Sequence, residues 1–285
     1  MSSPALATRE AGGVGGEYSF TNDDFRTIAA ILHKDSGIHL PEGKMALVYS
    51  RLAKRLRHLG LRSFREYCAY VAGPEGAEER SAMLRALTTN VTRFFRESHH
   101  FDHLKERLAG GLAAKVRAGG RLRIWSAGCS TGEEPYSIAL TLLSVIPNAA
   151  ELDIRILATD IDTNVIAKAM SATYSAEVLK EIPPGLRSRF KTRGAEAEVD
   201  ESARALISFR ELNLMADWPM KGRFDAIFCR NVAIYFEEPV QERLWGRFGD
   251  KLQADGRLYI GHSERVDDQR FATDGQTVYR LARPK

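Results

Sequence analysis

Apolar residues recur at helical spacing through the first third of the chain: Phe25, Ile28, Ile31 and Leu32, then Leu47, Leu52 and Leu56, then Phe64, Tyr67 and Val71, then Met83, Leu84 and Leu87. The pattern predicts a helical bundle over residues 18–90, broken at Gly37, Gly60 and the Gly73–Gly76 turn. Thr21 with Asp24, and Ser63 with Glu66, stand at capping-box spacing before two of the helices. Residues 91–120 read as a linker and a bridging helix from about Glu97 to Arg117, ended by Gly119 and Gly120. The periodicity then changes. Short apolar runs alternate with helical stretches, predicting strands at Leu122–Ser126, Ile154–Thr159, Ile207–Glu211, Phe224–Cys229 and Leu258–Gly261, with Thr277–Leu281 as a final antiparallel edge strand. Such alternation predicts an α/β domain with a mostly parallel sheet over 121–285. The stretch 173–206, with Pro183, Pro184 and mixed charges, interrupts it and is expected to project as an insertion. Residues 1–17, rich in Ala, Ser and Gly, are expected to form a disordered tail.

With 285 residues, 44% of them hydrophobic, the chain can fill one large or two moderate cores. No apolar run approaches the roughly 20 residues that span a bilayer, and the first residues lack the order of a secretion signal, so a soluble cytoplasmic protein is expected. Cys68, Cys129 and Cys229 fit neither a disulfide framework nor a zinc spacing. His99, His100 and His103 have no companion ligand set, so no metal is expected, and Ser137 lacks a hydrolase elbow. The net charge of +4 says little by itself, but Lys44, Arg51, Lys54, Arg55, Arg57, Arg62 and Arg65 follow one another without an intervening acidic residue. That stretch predicts a basic face suited to an acidic partner.

The run LRIWSAGCSTGEEPYSIAL, Leu122 to Leu140, reads as strand, glycine loop and helix start. Gly128 and Gly132 permit a tight turn, and the first N–H groups of the helix are free to meet a ligand. Glu133 and Glu134 would repel a pyrophosphate, and the glycine spacing is not the dinucleotide fingerprint. A cationic nucleoside such as S-adenosylmethionine suits the loop better. In a parallel sheet the ligand lies beyond the carboxyl ends of the strands, where Asp160 can accept ribose hydroxyls, Asn213 can read an adenine edge, and Arg230, Asn231 and Tyr235 bring in a polar cluster. The alternative role of Asp160 is to cap the helical segment starting at Asp162. In TTNVTRFFRE, Asn90, Thr92 and Arg96 surround Phe94 and Phe95, either as a lid on the cofactor or as a staple between the two halves.

In order, LTTNVTRFFRE, AGCSTGEEPYSIA, LATDID, LNL, FCRNVAIYF and GHSE resemble the CheR family of chemotaxis receptor methyltransferases, over nearly all of the chain after the tail. The resemblance implies a Rossmann-like S-adenosylmethionine-dependent methyltransferase domain, an all-α N-terminal domain that recognises the receptor, and a small inserted β-subdomain. It implies methylation of glutamate carboxylates on methyl-accepting chemotaxis receptors, giving methyl esters and S-adenosylhomocysteine. Cofactor contacts carry over to Asn90, Thr92, Arg96, Glu133, Asp160, Asn213, Leu214, Arg230 and Asn231, and Arg96 and Tyr235 fall nearest the acceptor carboxylate. The implied partner is the receptor's cytoplasmic domain, met by Arg51, Lys54, Arg55 and Arg57, with no nucleic acid and no membrane insertion. Two features depart from the family pattern. Ala233 replaces a larger apolar residue, and the short insertion has Ala195–Glu198 where a glycine-containing loop is expected, which argues against tethering of a receptor tail peptide. An RNA methyltransferase and a cofactor-sensing adaptor are the competing readings. Arg230-Asn231-Val232 lacks the prolines common after this strand in nucleic-acid amino methyltransferases.

Overall fold

The computed structural model describes residues 16–282, so the expected tail falls, through residue 15, outside the described residues. The chain divides into two compact units, Met1–Thr88 and Thr89–Lys285.

The first unit is a bundle of α1 (Asn22–Ser36), α2 (Met45–Leu59), α3 (Phe64–Ala72) and α4 (Ala77–Leu87). Its core holds Phe25, Ile28, Leu32, Val48, Leu52, Leu56, Phe64, Tyr67, Val71 and Met83, all buried. Each such side chain contributes about 1.5–3 kcal/mol over its exposed state. Leu47 is only half-buried, and Val48 takes the core position of that turn. Thr21 and Asp24 form the reciprocal capping box. Ser63 accepts from the Glu66 N–H, whereas the Glu66 carboxylate takes the N–H of Arg62.

The expected basic face is partly internal. Arg51 donates to the carbonyls of Ala86, Leu87 and Thr88 at 3.3, 2.9 and 2.7 Å, closing the C-terminus of α4. Arg55 pairs with Glu79, a carboxylate only 4% exposed that also accepts from the Tyr67 hydroxyl at 2.9 Å. A buried carboxylate needs such partners, and Arg55 of α2 and Tyr67 of α3 supply them. Arg57 faces Glu17 at 3.3 Å but stays exposed, as do Lys44, Lys54, Arg62 and Arg65.

In the second unit α5 (His99–Arg107) and α6 (Ala113–Arg117) are separated by a wide turn at Leu108–Leu112, so the expected bridging helix is broken where Gly111 takes φ 137°. The strands are β1 (Leu122–Ala127), β2 (Ile154–Asp160), β3 (Thr173–Ser175), β4 (Phe190–Arg193), β5 (Glu196–Val199), β6 (Ile207–Glu211), β7 (Phe224–Cys229), β8 (Leu252–Ile260), β9 (Phe271–Gly275) and β10 (Val278–Leu281). Between them run α7 (Glu133–Val145), α8 (Thr163–Ser171), α9 (Glu201–Arg204) and α10 (Glu238–Lys251). The large sheet has the order β6-β2-β1-β7-β8-β10-β9, parallel from β6 to β8, with β10 antiparallel to both β8 and β9. The last strand is therefore not the edge. That place belongs to β9, whose half-exposed FATDG gives no apolar signal. The chain runs outward from β1 through β2 to β6 and then returns to β7 on the other side of β1. The strand order thus reverses between β1 and β7, where a parallel sheet opens a crevice at its carboxyl edge.

The insertion forms a three-stranded antiparallel sheet, β3-β5-β4. It does not simply project. Tyr174, Phe190, Ala197 and Val199 are buried in the main core, and Phe94 meets the Tyr174 and Phe190 rings edge-on at 5.0 and 5.7 Å. Aromatic burial outweighs the charged character of the segment. Its hairpin also has a glycine, at Gly194 with φ 59°, directly before Ala195.

Candidate active site

The loop after β1 is shaped by its neighbours. Gly128 and Gly132 take φ 89° and 98°, and a Cβ on Gly128 would lie 2.4 Å from Val232 Cγ2. At Gly132 a Cβ would meet Ala169 Cβ and the Tyr174 hydroxyl, both at 2.8 Å. Gly128→Ala is expected to cost about 2–5 kcal/mol, combining a left-handed alanine with overpacking. A urea midpoint equal to that of the parent would refute the close approach.

Asp160, at the end of β2, accepts from the Ser130 N–H at 2.8 Å and the Asp162 N–H at 3.0 Å. Asp162 is the N-cap of α8, and its other oxygen accepts from Asn90 Nδ2 at 3.0 Å. Ser130 Oγ in turn donates to the Asn90 carbonyl at 2.9 Å. Asn90, Ser130, Asp160 and Asp162 are thereby one hydrogen-bonded group. Burial pushes the Asp160 carboxyl up, opposed by the N–H groups of Asp162 and Ser130. Beside it, burial and then Asp160 and Glu134 push the Cys129 thiol up.

Glu133 and Glu134 open α7 but turn different ways, since neighbours on a helix point about 100° apart. Glu133 accepts from Thr131 Oγ1 at 2.7 Å, and burial raises its pKa. Glu134 is buried, accepting from Ser126 Oγ at 2.7 Å and Arg230 Nη1 at 3.0 Å. The Arg230 guanidinium is 2% exposed and also lies 3.3 Å from Glu97, so it is paired with two carboxylates.

After β6, the Asn213 side chain accepts from the Met215 N–H at 2.9 Å, and the buried Leu214 gives its carbonyl to Trp218 and Arg247. The Leu212 N–H reaches the Asp160 carbonyl at 2.9 Å, which ties this loop to β2. After β7, Asn231 has φ 58°. Its N–H and those of Val232 and Ile234 go to the Glu264 carboxylate at 2.9, 2.9 and 3.2 Å, together with the Gly261 N–H. Glu264, the last residue of GHSE and 3% exposed, thus fixes the turn at Ala233–Tyr235. Ala233 is fully buried there.

The segment 90–97 packs on α7 within the second unit: the Phe95 N–H donates to Ser137 Oγ at 2.9 Å and the Phe94 N–H to Glu181 at 3.1 Å. Arg96 donates to the Val91 carbonyl at 3.2 Å. Among the described residues, Thr92 and the Tyr235 hydroxyl have no hydrogen-bond partner. His100 Nε2 meets Thr277 Oγ1 at 2.8 Å and His103 Nδ1 the Tyr259 hydroxyl at 3.0 Å, which accounts for these two rings in the packing.

Two family models match, the CheR methyltransferase all-alpha domain over residues 23–88 and the CheR methyltransferase SAM binding domain over 90–279. The chain belongs to the CheR methyltransferase family. This CheR chain is 52% identical over 258 residues to a probable chemotaxis protein methyltransferase of Rhizobium etli, covering 88% of the chain and 96% of the relative. It is 40% identical over 267 residues to the chemotaxis protein methyltransferase of Escherichia coli, covering 91% of each. Among solved structures, a TehB-like SAM-dependent methyltransferase from Corynebacterium glutamicum is similar over 65% of this chain and 100% of its own, at 16% identity and TM-score 0.34, too distant to bear on the site.

S-adenosylmethionine is therefore the cofactor, and the donor set fits it. Asp160 has acceptor-only oxygens, each holding a backbone N–H and each with a further lone pair for a ribose hydroxyl. Glu133 adds a carboxylate of the sign a sulfonium and an ammonium require.

Sequence reasoning missed Glu97 and Glu264 as organisers of this CheR site, although RFFRE and GHSE displayed them, and it read Glu134 as a loop carboxylate for the cofactor where the structure pairs it with Ser126 and Arg230. A pH effect follows from the same cluster. Burial, then Arg230 and His99, push His100 down from 6.5 to about 3. Burial would raise Glu97, but Arg230, His262 and His100 outweigh it and hold it at about 2. The unfolded chain therefore binds the extra proton first, and the stability these groups contribute is lost as pH falls, from 6.5 for His100 and from 4.5 for Glu97. Asp160, Glu133, Glu134 and Glu264, raised by burial, bend the profile the other way. Comparison with His100→Gln isolates the histidine. Between pH 6.5 and 4.5 the parent should lose up to about 1.4 kcal/mol per pH unit more than the variant. Parallel urea-midpoint profiles would contradict a neutral buried His100.

Proposed function

We propose that the chain methylates glutamate side-chain carboxylates on the cytoplasmic part of methyl-accepting chemotaxis receptors, forming methyl esters and S-adenosylhomocysteine in the cytoplasm. The observation that carries the reading is the arrangement of the two loops ending in Arg96 and Tyr235, both tied to the strand rim that holds Asp160. The cofactor supplies an electrophilic methyl on a cationic sulfur that departs as a neutral thioether. A glutamate acceptor with a pKa near about 4.3 is already an anion at neutral pH, so no general base is required. Arg96 and Tyr235 orient this carboxylate for in-line attack, and a tighter ion pair would slow it by stabilising the ground state. Asn90, Thr92, Glu133, Asp160, Asn213, Leu214 and Asn231 line the cofactor cleft.

The acceptor is a protein surface on this reading. Val91 and Ile234, two of the three large apolar side chains exposed among the described residues, stand on the same two loops as Arg96 and Tyr235. Lys54 and Arg57, which remain exposed on α2, supply the basic face for an acidic receptor helix, while Arg51 and Arg55 support the bundle. Incubating purified receptor cytoplasmic fragments with methyl-labelled cofactor tests the reading. Label released as methanol by mild alkali supports an ester, and alkali-stable label, or none, rejects it.

A further inference from the structure

Arg96 lies between two non-glycine residues in the left-handed region, Phe95 with φ 49° and Glu97 with φ 55°. A backbone of this kind persists only when its surroundings over-determine it. On one side the Phe95 N–H is held by Ser137. On the other, Arg230 reaches across from the end of β7: its Nη2 donates to the Arg96 carbonyl and lies 3.3 Å from Glu97, while Nη1 donates to Glu134 at 3.0 Å. The guanidinium also stands over the Phe101 ring, 5.6 Å from its centroid. Glu97 is itself fixed by His262 Nδ1 at 3.0 Å. Among the described residues, Arg230 Nε and Glu97 Oε2 have no hydrogen-bond partner, so the cluster is held by charge more than by a saturated hydrogen-bond network.

We propose that Arg230 is a positioning residue for methyl transfer: clamped between Glu97 and Glu134, it grips the Arg96 carbonyl and so aims the Arg96 side chain at the acceptor carboxylate. The inference rests on the assignment of Arg96 to the acceptor. It gives the Arg230 side chain this role in place of the cofactor contact that the family resemblance implies for the residue.

A double-mutant cycle with Arg230→Lys and Arg96→Ala tests it, with kcat and KM measured on a receptor cytoplasmic fragment and cofactor Kd by calorimetry. Lys keeps the charge between the two carboxylates but cannot span Glu134, Glu97 and the carbonyl together. Arg230→Lys alone should lower kcat by roughly tenfold or more with cofactor Kd within about twofold, yet add less than about twofold once Arg96 is Ala. Additive losses would overturn the proposal, since a general structural role does not depend on Arg96. A weakened cofactor Kd with kcat intact would overturn it too, by making Arg230 a cofactor ligand. If Arg230→Lys fails to fold, Glu97→Gln enters the same cycle with the same criteria. Unchanged turnover in Arg96→Ala alone would instead defeat the assignment of Arg96.

Discussion

Asp160→Asn is expected to weaken binding of S-adenosylmethionine by about 10- to 100-fold. The substitution keeps the shape but removes the charge and one acceptor, and charge-assisted hydrogen bonds are worth about 1.5–3 kcal/mol. It also turns an amide donor toward either the Ser130 or the Asp162 N–H, which Asp160 now satisfies at 2.8 and 3.0 Å. Some folding stability should be lost with it, about 1–3 kcal/mol for one buried donor left unpaired. Calorimetric titration of the folded variant with S-adenosylhomocysteine separates the two effects. Parent-like affinity would remove Asp160 from the cleft and leave it as a brace for the loops after β1 and β2.

Arg96→Ala should lower kcat for methyl transfer by about 100-fold, the scale on which lost orientation slows a positioned reaction. Stability should hardly change, because the side chain's hydrogen bond is a single one to the Val91 carbonyl at 3.2 Å. The contrast between these readouts is what identifies a functional arginine. Equal loss of stability and turnover would make it a scaffold residue, and full turnover would exclude it from the acceptor site.

The central strands were legible because a parallel strand covered on both faces reads as a mostly apolar run: β7 is buried throughout, and β1 and β2 are largely so despite Arg123 and Arg155. β9 and the first half of β8 were not, since FATDG and QADG carry turn residues: β9 is held as a hairpin on β10, and residues 253–256 bulge out between the Phe224–Leu252 and Ala226–Arg257 pairs. The helices of the first unit followed from their apolar spacing, but which cations faced inward did not. Arg55 turns to Glu79, 24 residues away, and Arg51 to the end of α4, both tertiary contacts.

The candidate site divides in the same way. The strand-end rule needs only the ends of strands, and Asp160, Asn213 and Asn231 do stand at or just after the ends of β2, β6 and β7. Side-chain direction is a separate matter. Glu133 and Glu134 are adjacent, yet Glu133 faces the loop while Glu134 enters the core to meet Arg230, 96 residues away. Glu264 is the plainest case, since its four N–H partners lie on two loops brought together only by the pairing of β7 with β8.

The central claim is that this strand rim delivers a methyl group to a glutamate carboxylate. Peptide mapping by mass spectrometry of a receptor cytoplasmic fragment, incubated with the protein and S-adenosylmethionine, tests it most directly. The account predicts one methyl increment per modified glutamate side chain, removed by mild alkali and absent when the protein is omitted. Increments on lysine, arginine or RNA, or an unmodified fragment despite bound cofactor, would contradict it.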